Sequence, residues 1–334
     1  MQSSAHPTRT VTRHKVRRGA DSRLHGNWAT LLLPIADDDS IDFDRLDIEI
    51  GALIDARVDG IYSNGTAGEF HNQTEAEYDT IQELLAGRCS AAGLPFVIGA
   101  CHPDPLVSCN RIRRAARLEP DAIQVILPDW VPVSDSEAVD FLLMAADAAS
   151  GTPLVLYNPP HAKRVFTPAE LRSVLRQTGT AVHGIKLADG DSAWYAAARQ
   201  HLTDWAVFVP GHHLATGVSE GVAAGAFSNV ACLSPRGAQA WTDRIFSDLP
   251  AALELERKIR GFLDTYILPY RLNGGYSNAA LDKLLAAIGH WSPVGTRLRR
   301  PYRWISEVDA DHLRSVARAS IPELFTDDTT DAAS

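Results

Sequence analysis

A lysine set among apolar residues is the most reactive position this sequence offers. Lys186 lies in His183-Gly-Ile-Lys-Leu-Ala-Asp-Gly-Asp191, a stretch that reads as a buried strand ending in a turn. Burial disfavours the ammonium form, which lowers the pKa and frees the amine lone pair for a carbonyl carbon. The chemistry expected of such a group is a Schiff base with a 2-oxo acid. A strand lysine on its own is more often a snorkelling or ion-paired residue, so it needs helpers.

The sequence supplies several. Tyr157 heads Tyr-Asn-Pro-Pro-His161, and a phenol near an imine can move protons. Thr66 lies in Gly65-Thr-Ala-Gly-Glu69, whose backbone amides, expected at a helix N-terminus, suit a carboxylate. Pro128-Asp129-Trp130, Gly211-His212-His213 and Ala226-Phe227-Ser228-Asn229 complete the set. The same stretches hold His161, His212, His213, Glu69 and Asp129, which could in principle bind a divalent metal for a class II aldolase or a hydrolase. Their spacing matches no compact metal motif.

These residues need a frame that brings them together, and the hydrophobic pattern supplies one. Apolar strands are expected at Trp28–Ile35, Gly60–Asn64, Phe96–Ala100, Ala122–Leu127, Pro153–Asn158, Val182–Ala188, Trp205–Pro210 and Ala226–Ala231. A helical pattern follows each one. Thr74 with Glu77 forms a capping box, and Thr167-Pro168 opens another helix with proline at its favoured first position. Eight strand–helix units rich in branched apolar residues argue for an α/β (β/α)₈ TIM barrel over residues 27–247. Residues 248–325 hold helical patterns alone and read as an appendix packed on the barrel. In such a barrel the active site lies at the C-terminal ends of the strands, where all the residues named above fall.

Composition narrows the function classes. A net charge of −9 with no dominant basic stripe argues against nucleic acid, and no apolar run is long enough to cross a bilayer. Cys89, Cys101, Cys109 and Cys232 lack zinc-site spacing, and a chain of 334 residues has no need of disulfides, so a cytoplasmic setting is expected. Residues 1–26 form a basic arm, with Arg17-Arg18 open to a twin-arginine reading. The next apolar run contains Pro34 and ends in Asp37-Asp38-Asp39, a poor export core, so a disordered arm is expected. A polar tail spans 326–334.

Over about residues 26–310 the chain resembles the dihydrodipicolinate synthase / N-acetylneuraminate lyase family of class I aldolases. The likeness rests on Gly65-Thr-Ala-Gly-Glu69, Tyr157-Asn-Pro-Pro160 and Gly184-Ile-Lys-Leu-Ala188, in register on strands two, five and six. It implies that Lys186 attacks pyruvate or a related 2-oxo acid. Tyr157, with a lowered pKa, would shuttle protons, and Thr66 would relay them. The amides of Thr66 and Ala67 would hold the substrate carboxylate, with Gly65, Trp130, Arg164, Gly211, His213 and Phe227 as further substrate contacts. No metal or organic cofactor is implied; the partners are a 2-oxo acid and an aldehyde, and a homo-oligomer (dimer or tetramer) is expected.

Departures from the family pattern matter as much. The relay tyrosine that follows strand four in the synthase is Trp130, the second hydroxyl of the turn is Ala67, and the arginine expected after strand five is Ala162, with Lys163 and Arg164 just beyond. Lysine-pathway synthesis is therefore not expected. An aldehyde larger or less charged than aspartate semialdehyde is, against an apolar wall of Trp130 and Phe227. Hydratase-aldolase or dehydratase chemistry is the near alternative, and a non-catalytic barrel that binds 2-oxo acids is the distant one.

Overall fold

The computed structural model describes residues 24–325. Eight parallel strands, β1 (Gly26–Thr30), β2 (Gly60–Tyr62), β3 (Phe96–Gly99), β4 (Ala122–Ile126), β5 (Leu154–Asn158), β6 (Val182–Leu187), β7 (Ala206–Pro210) and β8 (Ala223–Ser228), close in sequence order into one barrel. Helices α1 (Phe43–Asp55), α2 (Glu75–Ala92), α3 (Pro105–Ala116), α4 (Asp135–Ala149), α5 (Pro168–Leu175), α6 (Ser192–His201), α7 (Leu214–Ser219) and α9 (Pro235–Ser247) alternate with them, and the short α8 (Asn229–Leu233) follows β8 directly. This is the expected TIM barrel.

Local chemistry explains the helix starts. Thr74 and Glu77 make the reciprocal capping box at α2, and Thr167, Pro168 and Glu170 do the same at α5. Each such cap is worth about 1 kcal/mol. Two expected strands differ. β1 stops at Thr30; the Leu31 N–H still donates to the Tyr62 carbonyl, and beyond it the chain turns away, with the Leu32 N–H donating to Glu49 of α1 and Leu31–Leu33 buried in the core. β8 runs over 223–228, three residues earlier than expected; the small Ala223-Ala-Gly-Ala226 lacks branched residues, with Ala224 in the barrel interior and Ala223 and Ala226 against the helices, and Asn229–Leu233 turns helical instead.

The barrel interior is filled by Trp28, Tyr62, Val97, Ala122, Val155, Ala206, Phe208 and Phe227, while the aliphatic residues of the outer strand faces pack against the helices. Leu24, expected in the basic arm, is buried in that interior; residues 1–23 and 326–334 lie outside the described residues, so the rest of the arm and the tail are not placed.

Beyond the barrel come α10 (Leu249–Phe262), a π-helical turn at Leu263–Ile267, α11 (Leu268–Leu272), α12 (Asn278–Gly289) and α13 (Glu307–Ser320). The helical pattern expected over residues 248–325 is thus interrupted at 263–267 by a wider turn, a feature often found beside functional sites. α12 packs on α8 and α13. A Cβ on Gly289 would meet the Leu233 carbonyl oxygen at 1.8 Å, so only glycine allows that approach. No described helix is long and apolar enough to span a membrane. All four cysteines are buried thiols.

Candidate active site

Strand register sets the centre of the site. Tyr157 on β5 and Lys186 on β6 are direct cross-strand partners, and Lys186 is in turn level with Phe208 on β7. Partners in a parallel ladder point to the same face, so the phenol and the amine both point into the barrel. The Lys186 Nζ lies 4.2 Å from the centre of the Tyr157 ring, 4.7 Å from Tyr62 and 5.0 Å from Phe227. Burial pushes its pKa down from 10.5 to about 8, against opposing pulls from Cys101, Asp282 and Cys232. A substantial share of the amine is therefore neutral at mildly alkaline pH.

The turn after β2 reaches the same point. The Thr66 hydroxyl lies 3.4 Å from the Tyr157 hydroxyl, a stretched contact in which either can donate. A Cβ on Gly65 would stand 2.9 Å from the Tyr62 ring and 3.5 Å from Lys186 Nζ, so the missing side chain leaves the amine its space. Asn64 and Glu69 flank the turn with positive φ, and Glu69 forms a buried ion pair with Lys283 of α12 at 2.7 Å. That pair pins the turn to the helices above it. The turn does not sit at a helix N-terminus as expected, since α2 begins only at Glu75.

A cavity of 330 Å³ opens above the amine. Lys186, Tyr157, Tyr62, Thr66, Ala67 and Phe227 line its base. Its roof comes from the π-turn, α11 and α12: Leu263, Asp264, Ile267, Leu268, Arg271, Leu281, Asp282 and Leu285. The apolar wall expected from Trp130 is thus supplied by Phe227 and by these leucines.

Several expected contacts lie elsewhere. Trp130 is 81% exposed and outside the cavity, its ring facing Lys163 Nζ. Arg164 is held by the Val133 carbonyl, Asp135 and Glu170, and lines only a smaller adjoining pocket of 70 Å³. Those ion pairs occupy the guanidinium that a substrate would need. Gly211 is a packing residue, since a Cβ there would meet Ser228 Oγ at 2.5 Å. His213 is drawn from the cavity by Asp189 at 2.6 Å, and Tyr195 donates to the same Asp189 oxygen at 2.8 Å. Burial would raise Asp189, but the bonds from His213 and Tyr195 outweigh it and hold the carboxyl low.

His212 lines the cavity instead. Its backbone N–H and Nδ1 both reach Asn229 Oδ1, at 3.2 and 3.1 Å. An oxygen that accepts from the backbone accepts from the ring as well, so Nδ1 carries the proton. Burial and the neighbouring His213 push His212 down to about 4, which keeps the ring neutral. Tyr157 also departs from expectation: burial raises it to about 12, with the Thr66 contact opposing. The lowered phenol expected beside an iminium is not a property of the free site.

Among the described residues, no three His, Cys, Asp or Glu side chains come together as a metal site. The residues that sequence reasoning missed are those of the roof, above all Asp282 and Arg271. Asp282 and Lys283 form a charged pair inside Ala279-Ala-Leu-Asp-Lys-Leu-Leu285, and that break in an apolar helix was the available signal.

Known proteins share this family and this fold. The profile of the Dihydrodipicolinate synthetase family matches residues 23–319. N-acetylneuraminate lyase of Salmonella typhi is 27% identical over 173 residues, which is 50% of this chain and 56% of the relative. The chain thus spans about half the length of the curated relatives it matches. Among solved structures, YagE, a prophage protein of E. coli K12 in complex with pyruvate, superposes with TM-score 0.73 at 21% identity, covering 89% of this chain and 98% of its own. N-acetylneuraminate lyase from Fusobacterium nucleatum gives 0.76 at 17% identity, covering 90% and 100%.

Proposed function

We propose that this chain, which belongs to the dihydrodipicolinate synthetase family, is a lyase of the class I aldolase type that works through a Schiff base on Lys186. The substrate is pyruvate or a related 2-oxo acid, and the reaction makes or cleaves a C–C bond to an aldehyde. The observation that carries this reading is the cross-strand pairing of Lys186 with Tyr157 beneath one cavity. The pyruvate held by the YagE neighbour is consistent with the substrate class.

The neutral Lys186 amine attacks the ketone carbon, and the C=O electron pair moves to oxygen. The nitrogen then gives up one proton, which passes by way of Tyr157 to the oxygen; Tyr157 supplies a second proton that lets this oxygen leave as water, and the lone pair freed on nitrogen closes the C=N bond. Thr66, in contact with the phenol, passes protons to it. The substrate carboxylate lies against the backbone amides of Thr66 and Ala67, which donate to no other protein group among the described residues. The resulting iminium draws the electrons of the breaking C–C bond. Acceptor choice falls to the roof, where leucines and isoleucine outnumber charges and favour an aldehyde less charged than aspartate semialdehyde.

Borohydride reduction in the presence of pyruvate tests the first step. A pyruvate-derived adduct on Lys186, detected by mass spectrometry, is expected; full activity in a Lys186→Ala protein overturns the reading. An aldehyde panel then reads the acceptor, and preference for aspartate semialdehyde refutes the predicted selectivity. Turnover of any acceptor separates an enzyme from a barrel that merely binds the oxo acid.

A further inference from the structure

The base of the cavity lacks a group suited to take a proton from carbon. Forming an enamine from the Lys186 imine breaks a C3–H bond, and a phenol raised to about 12 is almost never ionised near neutrality. His212 can accept a proton but is held against acquiring positive charge by burial and by His213. Cys232 and Cys101, both buried, are pushed up, so neither offers a thiolate.

The roof supplies what the base lacks. Asp282 of α12 lines the cavity together with Lys186 and Tyr157 and retains accessible surface there. It has no hydrogen bond or ion pair of its own among the described residues, in contrast to its neighbour Lys283, which is fully committed to Glu69 and the Arg297 carbonyl. A carboxylate placed at a cavity without a structural partner costs stability, and it belongs where a reaction uses it.

We propose that Asp282 is the catalytic base that removes the C3 proton of the 2-oxo acid once it is held as an imine on Lys186. The step balances within the site. The C3–H bond breaks, the proton goes to an Asp282 oxygen, the C–H pair becomes C2=C3, and the C=N pair returns to nitrogen as the neutral enamine. When C3 then attacks an aldehyde, the alkoxide takes the same proton back from Asp282. In the cleavage direction the carboxylate accepts the hydroxyl proton as the C–C bond opens.

The surroundings fit that duty. Burial raises the carboxyl from 3.8 to about 7, and the charge of Lys186 opposes this. Tyr62, Tyr157 and Cys232 adjoin it as neutral groups, with Asp264 and Arg271 also on the roof. The protonated imine carries a positive charge on the Lys186 nitrogen, so its formation favours the ionised base when the proton must move.

This inference rests on the Schiff-base reading, and the test separates the two without knowing the aldehyde. Pyruvate is incubated in D₂O with the full chain, and loss of its methyl signal is followed by proton NMR at saturating pyruvate. Borohydride trapping runs in parallel. For Asp282→Asn, the adduct on Lys186 should persist while methyl exchange falls about 100-fold or more, and the rise of exchange with pH expected of the wild type should vanish. Asp282→Glu should restore part of the exchange and the pH-dependent rise; it also carries the test should the asparagine protein not fold. Exchange within threefold of wild type in Asp282→Asn, or an unchanged pH profile in that variant, overturns the proposal. Absence of a wild-type adduct overturns the Schiff-base reading itself, and this inference with it.

Discussion

Replacing Lys186 by methionine should make the protein more stable in mild acid and destroy its imine chemistry. The amine is displaced by burial from 10.5 to about 8, and each unit of pKa corresponds to about 1.4 kcal/mol. Keeping the ammonium in the folded barrel at about pH 6 therefore costs about 3 kcal/mol. The three aromatic rings around Nζ oppose this, each by about 0.5–2 kcal/mol at best, and they share a single cation. Asp282 offers little relief, because below about 7 it is mostly protonated. A net burden of about 1–3 kcal/mol remains, which methionine, apolar and of similar length, would remove.

The sign follows from linkage. A lysine whose folded pKa is depressed carries its full penalty below the folded value, and the penalty fades as pH rises toward the unfolded value. Between about pH 6 and about pH 9.5 the advantage of Lys186→Met should shrink by about 2 kcal/mol. Scanning calorimetry at the two pH values reads both numbers, with a Tm gain of about 2–6 °C expected at the lower one. A methionine protein less stable at about pH 6, or a difference that ignores pH, would refute the claim that the site strains this lysine.

Four further outcomes follow from the same geometry. Borohydride trapping of pyruvate should accelerate as pH rises toward about 8 and level off beyond it, since only the neutral amine attacks; a rate flat across that range would place the attacking group elsewhere. Tyr157→Phe should lower turnover by about 10²–10⁴-fold with little change in Tm, because the hydroxyl makes only a 3.4 Å contact. Gly65→Ala should slow trapping by about tenfold, as a methyl 2.9 Å from the Tyr62 ring must displace either that ring or the turn. Lys283→Met, which leaves Glu69 buried and unpaired, should cost about 3–5 kcal/mol by denaturant titration; the double variant with Glu69→Gln should recover much of it.

The barrel was legible because seven of its strands are short branched-apolar runs separated by helical periodicity, and that alternation admits few architectures. β8 was misplaced for the same reason: Ala223-Ala-Gly-Ala226 carries no such signal, and its place is set by pairing with β1 and β7, not by its own propensity. The base of the site was legible too, because Lys186, Tyr157 and Thr66 lie on strands and turns whose order fixes their height. Trp130 and Arg164 were assigned by their distance along the chain from strand ends, yet loops do not preserve height. Asp135 and Glu170 capture the arginine before it can reach the cavity.

The roof was unreadable for a deeper reason. Its residues come from a π-turn and from α12, which are remote in sequence from every strand end and reach the cavity only after the appendix has docked. Docking is specified by features with no catalytic look: the Glu69–Lys283 pair, the bare Gly289 against Leu233, and the packing of α12 on α8. Because Lys283 and Asp282 are adjacent on one helix, the ion pair that anchors the turn to α12 also fixes where the neighbouring carboxylate stands. The strength of that anchor should therefore be visible in chemistry as well as in stability. In Lys283→Met at a temperature where the protein is still folded, pyruvate methyl exchange should fall more than borohydride trapping does, since the amine stays on its strand while the acid loses its support. Equal losses in the two assays would mean that the roof does not act on the proton-transfer step.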